Sequence, residues 1–521
     1  MHWADKLAKE IIASGKYKPY WVDDMYTPSG YAHVGSIRGP LIHDLIYKAI
    51  KKEKKKIITT YVFNNFDTVD GLPEELRQKF NKYMGFPLKL VPSPENGYKD
   101  FADFYIKNFE KVLRSLGIEA QFIYSWDLYQ EGKFNEVIKI ALDSSEKILK
   151  IYEEVSGSRK REKNWLPLQV ICEKCGKLGT TKVYEWDGKD VSYKCEPNLV
   201  TWAQGCGYEG KMNPFNGRAK LPWKVDWAAN WKVLGITIEG SGKEHGTAGG
   251  SRDIVRRLCE EVFKYPEPFN LVYEYFLIGG KKMSSSKGLG LKAYELMEII
   301  PPELVRFLFV RTNYREQIEF NPFRTMSIPN LFDEYDRCWE SYVNNSDENF
   351  SRYFELSQVD KILEKTEVFL PRFRDVANYM QLPNVDLEKK FEEIKGDQLS
   401  VKEKEILKER EKYAKIWLEN YAPDDFQNEM LETIPFEIKK LDKEQKEFLS
   451  EIPALLEKDL KPEDLQVALY NLTKELKIDV KKAFAAIYLS FIGKEFGPKA
   501  AWFLLQYSKE KVITRLKEAS R

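Results

Sequence analysis

The sequence predicts a mixed α/β fold: a parallel-sheet domain interrupted by a cysteine-bearing insertion, then an all-α C-terminal region. Three observations carry this. Strand and helix patterns alternate over the first 66 residues, the unit from which parallel sheets are built. Four cysteines, Cys172, Cys175, Cys195 and Cys206, cluster inside an irregular stretch. From about Asn330 to the end the pattern is helical, rich in Glu, Lys and Leu, with no convincing strand run. A length of 521 residues implies roughly two to four domains.

The elements follow in order. Tyr20–Met25 reads as a strand and Thr27-Pro-Ser-Gly30 as a loop. Ile37, Leu41, Leu45 and Ala49 then recur every fourth residue beside Ile42, Ile46 and Ile50, which makes one broad apolar helix face. Lys51–Lys56 is a charge run expected at a solvated helix end, and Ile57–Phe63 is the next strand. Between about Gly71 and Trp223 the pattern is irregular and broken by Pro73, Pro87, Pro92 and Pro94. α/β character returns from about Ala228, with a strand over Phe269–Ile278 ending in Gly279-Gly280. The expected boundaries are therefore 1–70 with 216–328 for the split sheet domain, 71–215 for the insertion with its cysteine module at 172–206, and 329–521 for the helical domain.

Composition bounds the function. Hydrophobic residues at 43% supply material for packed cores, while 82 basic and 81 acidic groups leave a net charge of +1. Such a balance does not mark a nucleic-acid binder, although a local basic face suffices for one. No apolar run precedes a small-residue cleavage site near the N-terminus, and no stretch approaches the ~20 apolar residues of a membrane span. The expectation is a cytoplasmic, reduced protein without a membrane partner, with Cys259 and Cys338 as small buried hydrophobes. Among the four histidines, His2 is expected in a disordered terminus and His43 as a structural residue of the first helix.

Two segments carry chemistry. Thr27-Pro-Ser-Gly-Tyr-Ala-His-Val-Gly-Ser36 joins a strand to a helix N-terminus, where unpaired backbone N–H groups and the helix dipole favour an anion. Gly30 and Gly35 admit a ligand close to the backbone. His33 and Ser36 lie three apart and can face one phosphate. An ordinary glycine-rich loop with a surface histidine is the plain alternative. Lys281-Lys-Met-Ser-Ser-Ser-Lys-Gly288 places three hydroxyls and three ammonium groups within seven residues, suited to gripping a polyphosphate; a solvated basic loop is its alternative. The cysteine cluster opens with an ideal Cys-x-x-Cys pair, and four thiolates give zinc a closed tetrahedral site, so one structural Zn2+ is expected rather than free buried thiols or a catalytic metal. Arg159-Lys-Arg161 and Lys163 form a basic patch that either contacts RNA phosphate or is simply solvated.

The two loops together resemble the signature pair of the class I aminoacyl-tRNA synthetases, reading His33-Val-Gly-Ser36 and Lys282-Met-Ser-Ser-Ser286. Ser36 replaces the second histidine of that pattern, and Ser285 its second lysine, with Lys287 close behind. Thr27–Gly30, Leu221-Pro-Trp-Lys-Val-Asp-Trp227, Gly242-Lys-Glu-His245 with Thr247-Ala-Gly-Gly250, and Pro302-Glu-Leu-Val-Arg-Phe307 further resemble the class I lysyl-tRNA synthetase family. Glu244 stands where that family has Asp, and Met25 where it has a small residue.

The resemblance implies a Rossmann-like nucleotide domain, ATP with Mg2+ as cofactors, and a lysine–tRNA ligase working on tRNA(Lys), lysine and ATP as a monomer. It implies ATP contacts from Thr27, Pro28, Ser29, Gly30, His33, Gly35, Lys282 and Met283. Catalytic roles fall to His33, Ser36, Lys282, Ser284, Ser285, Ser286 and Lys287. The lysine pocket would be formed by Thr27, Trp223, His245 and Tyr273. The helical half becomes an anticodon-binding domain, where aromatics such as Tyr413, Trp417, Phe491 and Trp502 are expected mostly in the core. A second zinc site found in some members has no counterpart in Ser93–Asp100, which holds no Cys or His. The alternatives are the sister glutamyl enzyme, which needs an Arg aimed at a substrate carboxylate, and a non-tRNA adenylylating ligase.

Overall fold

The computed structural model describes residues 1–157, 164–282, 290–359, 365–382, 385–424, 426 and 430–521. They form two compact units, Met1–Phe320 with Cys338–Lys365, and Asn321–Arg337 with Thr366–Arg521.

In the first unit, helix α1 (Trp3–Ser14) precedes strands β1 (Tyr20–Val22) and β2 (Met25–Tyr26), helix α2 (Arg38–Lys52), strand β3 (Ile57–Phe63) and strand β4 (Gln121–Tyr124). β3 pairs in parallel with β1 and β2 on one edge and with β4 on the other. The sheet continues beyond β1 through a parallel bridge from Val22 to Ile238 and another from Ile238 to Phe269, and Ser241–Gly242 pairs in parallel with Val272–Tyr273. The expected strand over Tyr20–Met25 is split because the backbone changes partner at its middle: the Asp23 N–H donates to the Ile238 carbonyl, whereas the Asp24 carbonyl accepts from the Val62 N–H. The expected strand over Phe269–Ile278 is split in the same way. Val272–Tyr273 belongs to the main sheet, while Phe276–Ile278 pairs antiparallel with Lys281–Lys282 and parallel with Ile318–Glu319. Gly279 and Gly280 turn this hairpin at φ of 57° and 72°, conformations that favour glycine.

Two expectations need correction. His2 is not disordered. It is buried and caps α1, its Nδ1 accepting from the Ala4 N–H at 3.2 Å and its Nε2 donating to the Val310 carbonyl at 3.0 Å. Burial lowers its pKa to about 4. Nor is 71–215 wholly an insertion outside the sheet, since β4 lies within it and extends the sheet. The stretch also shares one apolar core with the second half of the sheet domain, joining Phe66, Tyr129 and Leu142 to Trp231 and Phe263. β4 is only four residues long, too short for its alternation to stand out.

Buried Arg306 locks the frame of this unit. It pairs with Asp44 of α2 at 2.8 Å and donates to the carbonyls of Leu116 and Leu356. Each of its three nitrogens donates to another element, which suits a planar fork buried without solvent.

The second unit contains no strand among its described residues. Its helices include Val401–Asn420, whose N-terminus carries a capping box of Ser400 and Glu403, and Lys443–Leu456, capped likewise by Asp442 and Gln445. Phe448, Leu449, Leu469, Ile487, Phe491 and Phe503 form its core. Tyr413, Trp417 and Phe491 are buried, whereas Trp502 is half-buried. The boundary expected at 329 falls inside the helix Ser327–Asn344, which the two units divide between them.

Candidate active site

The first motif begins where β2 ends. The chain turns through Thr27–Gly30, the Tyr26 hydroxyl donating to the Gly30 carbonyl at 3.2 Å, then enters a 3-10 turn at Val34–Ile37 that runs directly into α2. His33 occupies the extended position at the head of that turn, and the Ser36 N–H donates back to its carbonyl at 2.8 Å. The second motif is tethered at both ends beside the first. Before it, Phe276–Ile278 packs against Val34–Ile37 and forms the hairpin with Lys281–Lys282. After it, the Val34 N–H donates to the Leu291 carbonyl at 2.9 Å, the Ala293 N–H donates to the Ala32 carbonyl at 2.8 Å, and Lys292 bridges to His33. Met283, Ser284, Ser285, Ser286 and Lys287 lie outside the described residues, and Lys282 is placed through its backbone. Arg159, Lys160, Arg161 and Lys163 also lie outside the described residues.

A cavity of about 1000 Å³ opens at the carboxyl ends of the parallel strands, the position where open α/β sheets bind ligands. Its wall is rich in acid, with Asp24, Asp67, Asp70, Glu196, Asp226 and Glu239, and in aromatics, with Trp223, Trp227 and Tyr273 beside His245. The Thr27 hydroxyl, at the head of the first motif, donates to Asp67 Oδ2 at 2.6 Å. Trp223 and Trp227 stack at 6.0 Å, and each ring lies 5.8 Å from His245. Trp223 is 50% exposed, so its face is available to a ligand.

The floor of the cavity is held by buried polar groups. Glu239 accepts from the indoles of Trp227 at 2.5 Å and Trp231 at 2.7 Å, and the Arg252 guanidinium covers the Trp231 ring at 4.4 Å. Burial raises the Glu239 pKa to about 7 against the opposing pull of Arg252 and the two indoles. His43 is structural, as its helical position suggests: Nδ1 donates to the Gly39 carbonyl at 2.7 Å and Nε2 accepts from the Gly240 N–H at 2.8 Å, tying α2 to the cavity floor. Gly39 is required here by space. A Cβ at this position would stand 2.5 Å from Asp24 Oδ2 and 2.9 Å from the Tyr273 hydroxyl.

The four cysteines converge away from this floor. Cys172 and Cys175 flank a tight turn closed by the Gly176 N–H donating to the Cys172 carbonyl, and Cys195 ends the strand Val191–Cys195 of a three-stranded antiparallel sheet. The four sulfurs lie within 4.8 Å of one another, a donor set that fits one tetrahedral metal ion. The module also reaches the cavity, whose lining includes Thr181, Val183, Glu196 and Leu199.

A family model described as "tRNA synthetases class I (K)" matches residues 1–360. The lysine–tRNA ligase of Archaeoglobus fulgidus is 33% identical over 522 residues, covering 100% of both chains. That of Methanocaldococcus jannaschii is 33% identical over 546 residues, covering 99% of each. The chain is a class I tRNA synthetase. Among solved structures, a glutamate tRNA ligase from Elizabethkingia meningosepticum is 14% identical, with a TM-score of 0.42 over 96% of this chain and 99% of that one.

Within this synthetase the four residues expected around the amino acid, Thr27, Trp223, His245 and Tyr273, all line one cavity. Ser29 joins them there, while Pro28, Gly30, His33, Gly35 and Ser36 continue outside the lining. The sequence reading missed the acids. Asp24 follows β1, Asp67 follows β3, and Asp226 and Trp227 lie within the Leu221–Trp227 stretch already singled out. Carboxylates just past parallel strand ends were the available signal.

Proposed function

We propose that this synthetase is a lysine–tRNA ligase, which converts ATP and lysine to lysyl-adenylate and pyrophosphate and then passes the lysyl group to the terminal ribose of tRNA(Lys). The observation that carries the reading is the acid- and aromatic-lined cavity beside the His33 loop. Lysine brings two ammonium groups, and Asp24 and Asp67 supply carboxylates for them, while Trp223 and Tyr273 offer ring faces to the cation and its methylenes. Glutamate calls for a guanidinium, and the described lining contains no arginine.

The chemistry needs positioning and charge stabilisation, with no covalent enzyme intermediate. The lysine carboxylate attacks the α-phosphorus of ATP as pyrophosphate leaves. Thr27–Gly30 and Gly35 bring the backbone to the nucleotide in a Rossmann-like domain. His33 and Ser36 donate to phosphate oxygens as charge develops. Lys282 and Lys287, with Ser284, Ser285 and Ser286, neutralise the departing pyrophosphate, and Mg2+ enters with ATP. Cys172, Cys175, Cys195 and Cys206 hold one structural Zn2+, which stabilises the wall that the cysteine module lends to the cavity. The helical unit reads tRNA, and the protein acts in the cytoplasm as a monomer. No helix among the described residues is long and apolar enough to cross a membrane.

ATP–pyrophosphate exchange with each of the twenty amino acids in turn tests this reading. Exchange should depend on lysine. Exchange with glutamate and not lysine would assign the sister specificity, and amino-acid-independent exchange would remove the synthetase chemistry.

A further inference from the structure

The cavity wall contains a lysine that no step above uses. Lys220 ends the strand Ala219–Lys220, and its side chain is buried. Its ammonium lies 2.9 Å from Asp67 Oδ1 and 3.0 Å from Asp226 Oδ2, both residues of the cavity lining. Asp226 Oδ1 also accepts from the Tyr129 hydroxyl, and Asp67 Oδ2 from the Thr27 hydroxyl. A single cation thus joins the loop after β3, the strand leaving the cysteine-bearing region and the helix Trp223–Leu234. Through Asp67 it reaches the head of the ATP loop. Burial would lower the Lys220 pKa, but the Asp226 and Asp67 carboxylates more than reverse this and keep it charged.

We propose that Lys220 is a positioning residue of amino-acid activation: it holds the Asp67 carboxylate in place and aimed at the cavity, where that carboxylate meets a substrate ammonium. The inference rests on the reading of this cavity as the lysine site. The buried Asp226 carboxylate, the half-buried Asp67 carboxylate and one ammonium carry a net charge of −1. With the ammonium removed, the two carboxylates face each other with no cation between them, and like charges so placed hold a proton more tightly than they do beside Lys220. The other titratable neighbours do not compensate. Tyr129 is a hydrogen-bond donor to Asp226, and Asp70, beside Asp67, adds a further acid.

The test is the pH profile of KM for lysine in pyrophosphate exchange, in wild type, K220Q, K220R and the charge-balanced K220Q/D226N. In K220Q, KM should rise at least tenfold near pH 6.5 and return toward the wild-type value by pH 8.5, with KM for ATP unchanged. K220R should follow wild type. K220Q/D226N leaves Asp67 as the one carboxylate and should lose the extra pH dependence. A K220Q profile parallel to wild type, whether superimposed or raised equally at every pH, would overturn the proposal, because packing alone predicts no new ionisation. If K220Q does not fold, K220Q/D226N and D226N decide. The double variant must show a wild-type profile, and D226N, which neutralises the cluster, must raise KM equally at every pH; either failing overturns the proposal. Wild-type exchange without lysine dependence would instead refute the assigned specificity.

Discussion

Gly39 shows how a single residue sets the pocket. It sits in the first turn of α2, where alanine is intrinsically favoured by about 1 kcal/mol. Yet its missing Cβ leaves the room that Asp24 Oδ2 and the Tyr273 hydroxyl occupy against it. Gly39→Ala should therefore leave thermal stability near wild type while raising KM for lysine about tenfold or more, with KM for ATP unmoved. Steady-state exchange kinetics separate the two effects. His33→Ala and Lys282→Ala should each slow adenylate formation by on the order of a hundredfold, as for lost donors to developing charge. Normal rates in both would remove these two loops from the chemistry. His2 gives a pH-dependent prediction. Its pKa falls from 6.5 to about 4 on folding, so between those values the unfolded chain binds the extra proton and stability drops as pH falls. Moving from pH 7.5 to 5 should cost on the order of 2 kcal/mol from this residue, and His2→Gln should lack that component in denaturant titrations at the two pH values. The motif residues were legible because loops of fixed composition announce themselves. Asp24, Asp67 and Lys220 were not, because isolated charged residues are common in any sequence and only the fold brings these three together.

At the scale of elements, the sequence shows β3 and α2 plainly through seven β-rich residues and a broad apolar face. It hides the breaks at Asp23-Asp24 and Glu274-Tyr275, because a strand that changes partner keeps its composition. β4 escapes for its shortness. The cysteine module was legible from spacing, and the fold adds that its strands reach the cavity. One zinc per chain is therefore expected by metal analysis, with Cys175→Ser losing it and melting at lower temperature. Metal-free wild-type protein would refute the site. Because module residues line the cavity, Cys175→Ser should also raise KM for lysine.

For the whole molecule, the division into units reshapes where the chain can be cut. The helix Glu348–Ser357 belongs with the first unit: Arg352 pairs with Asp5 at 2.8 Å, and the Leu356 carbonyl accepts from Arg306. A chain ending at Asp347 leaves the Arg306 guanidinium partly unsatisfied in the core, a defect of a few kcal/mol. It should be poorly soluble. A chain ending at Lys365 keeps these partners and should make adenylate near the full-length rate while charging tRNA at least tenfold more slowly. Full charging by that fragment would take RNA reading away from the helical unit. Within the cavity, carboxylates are expected to read the charge on the lysine side chain. This is tested most directly by the ratio of kcat/KM for lysine to that for norleucine, which lacks the ε-amino group, in wild type and Asp24→Asn. A site built around a buried acceptor rejects the analogue that leaves it unpaired by about 10⁴-fold or more. The ratio should be of that order in wild type and collapse by at least a hundredfold in the variant. Equal use of norleucine by the wild-type enzyme, or a ratio untouched by Asp24→Asn, would contradict it.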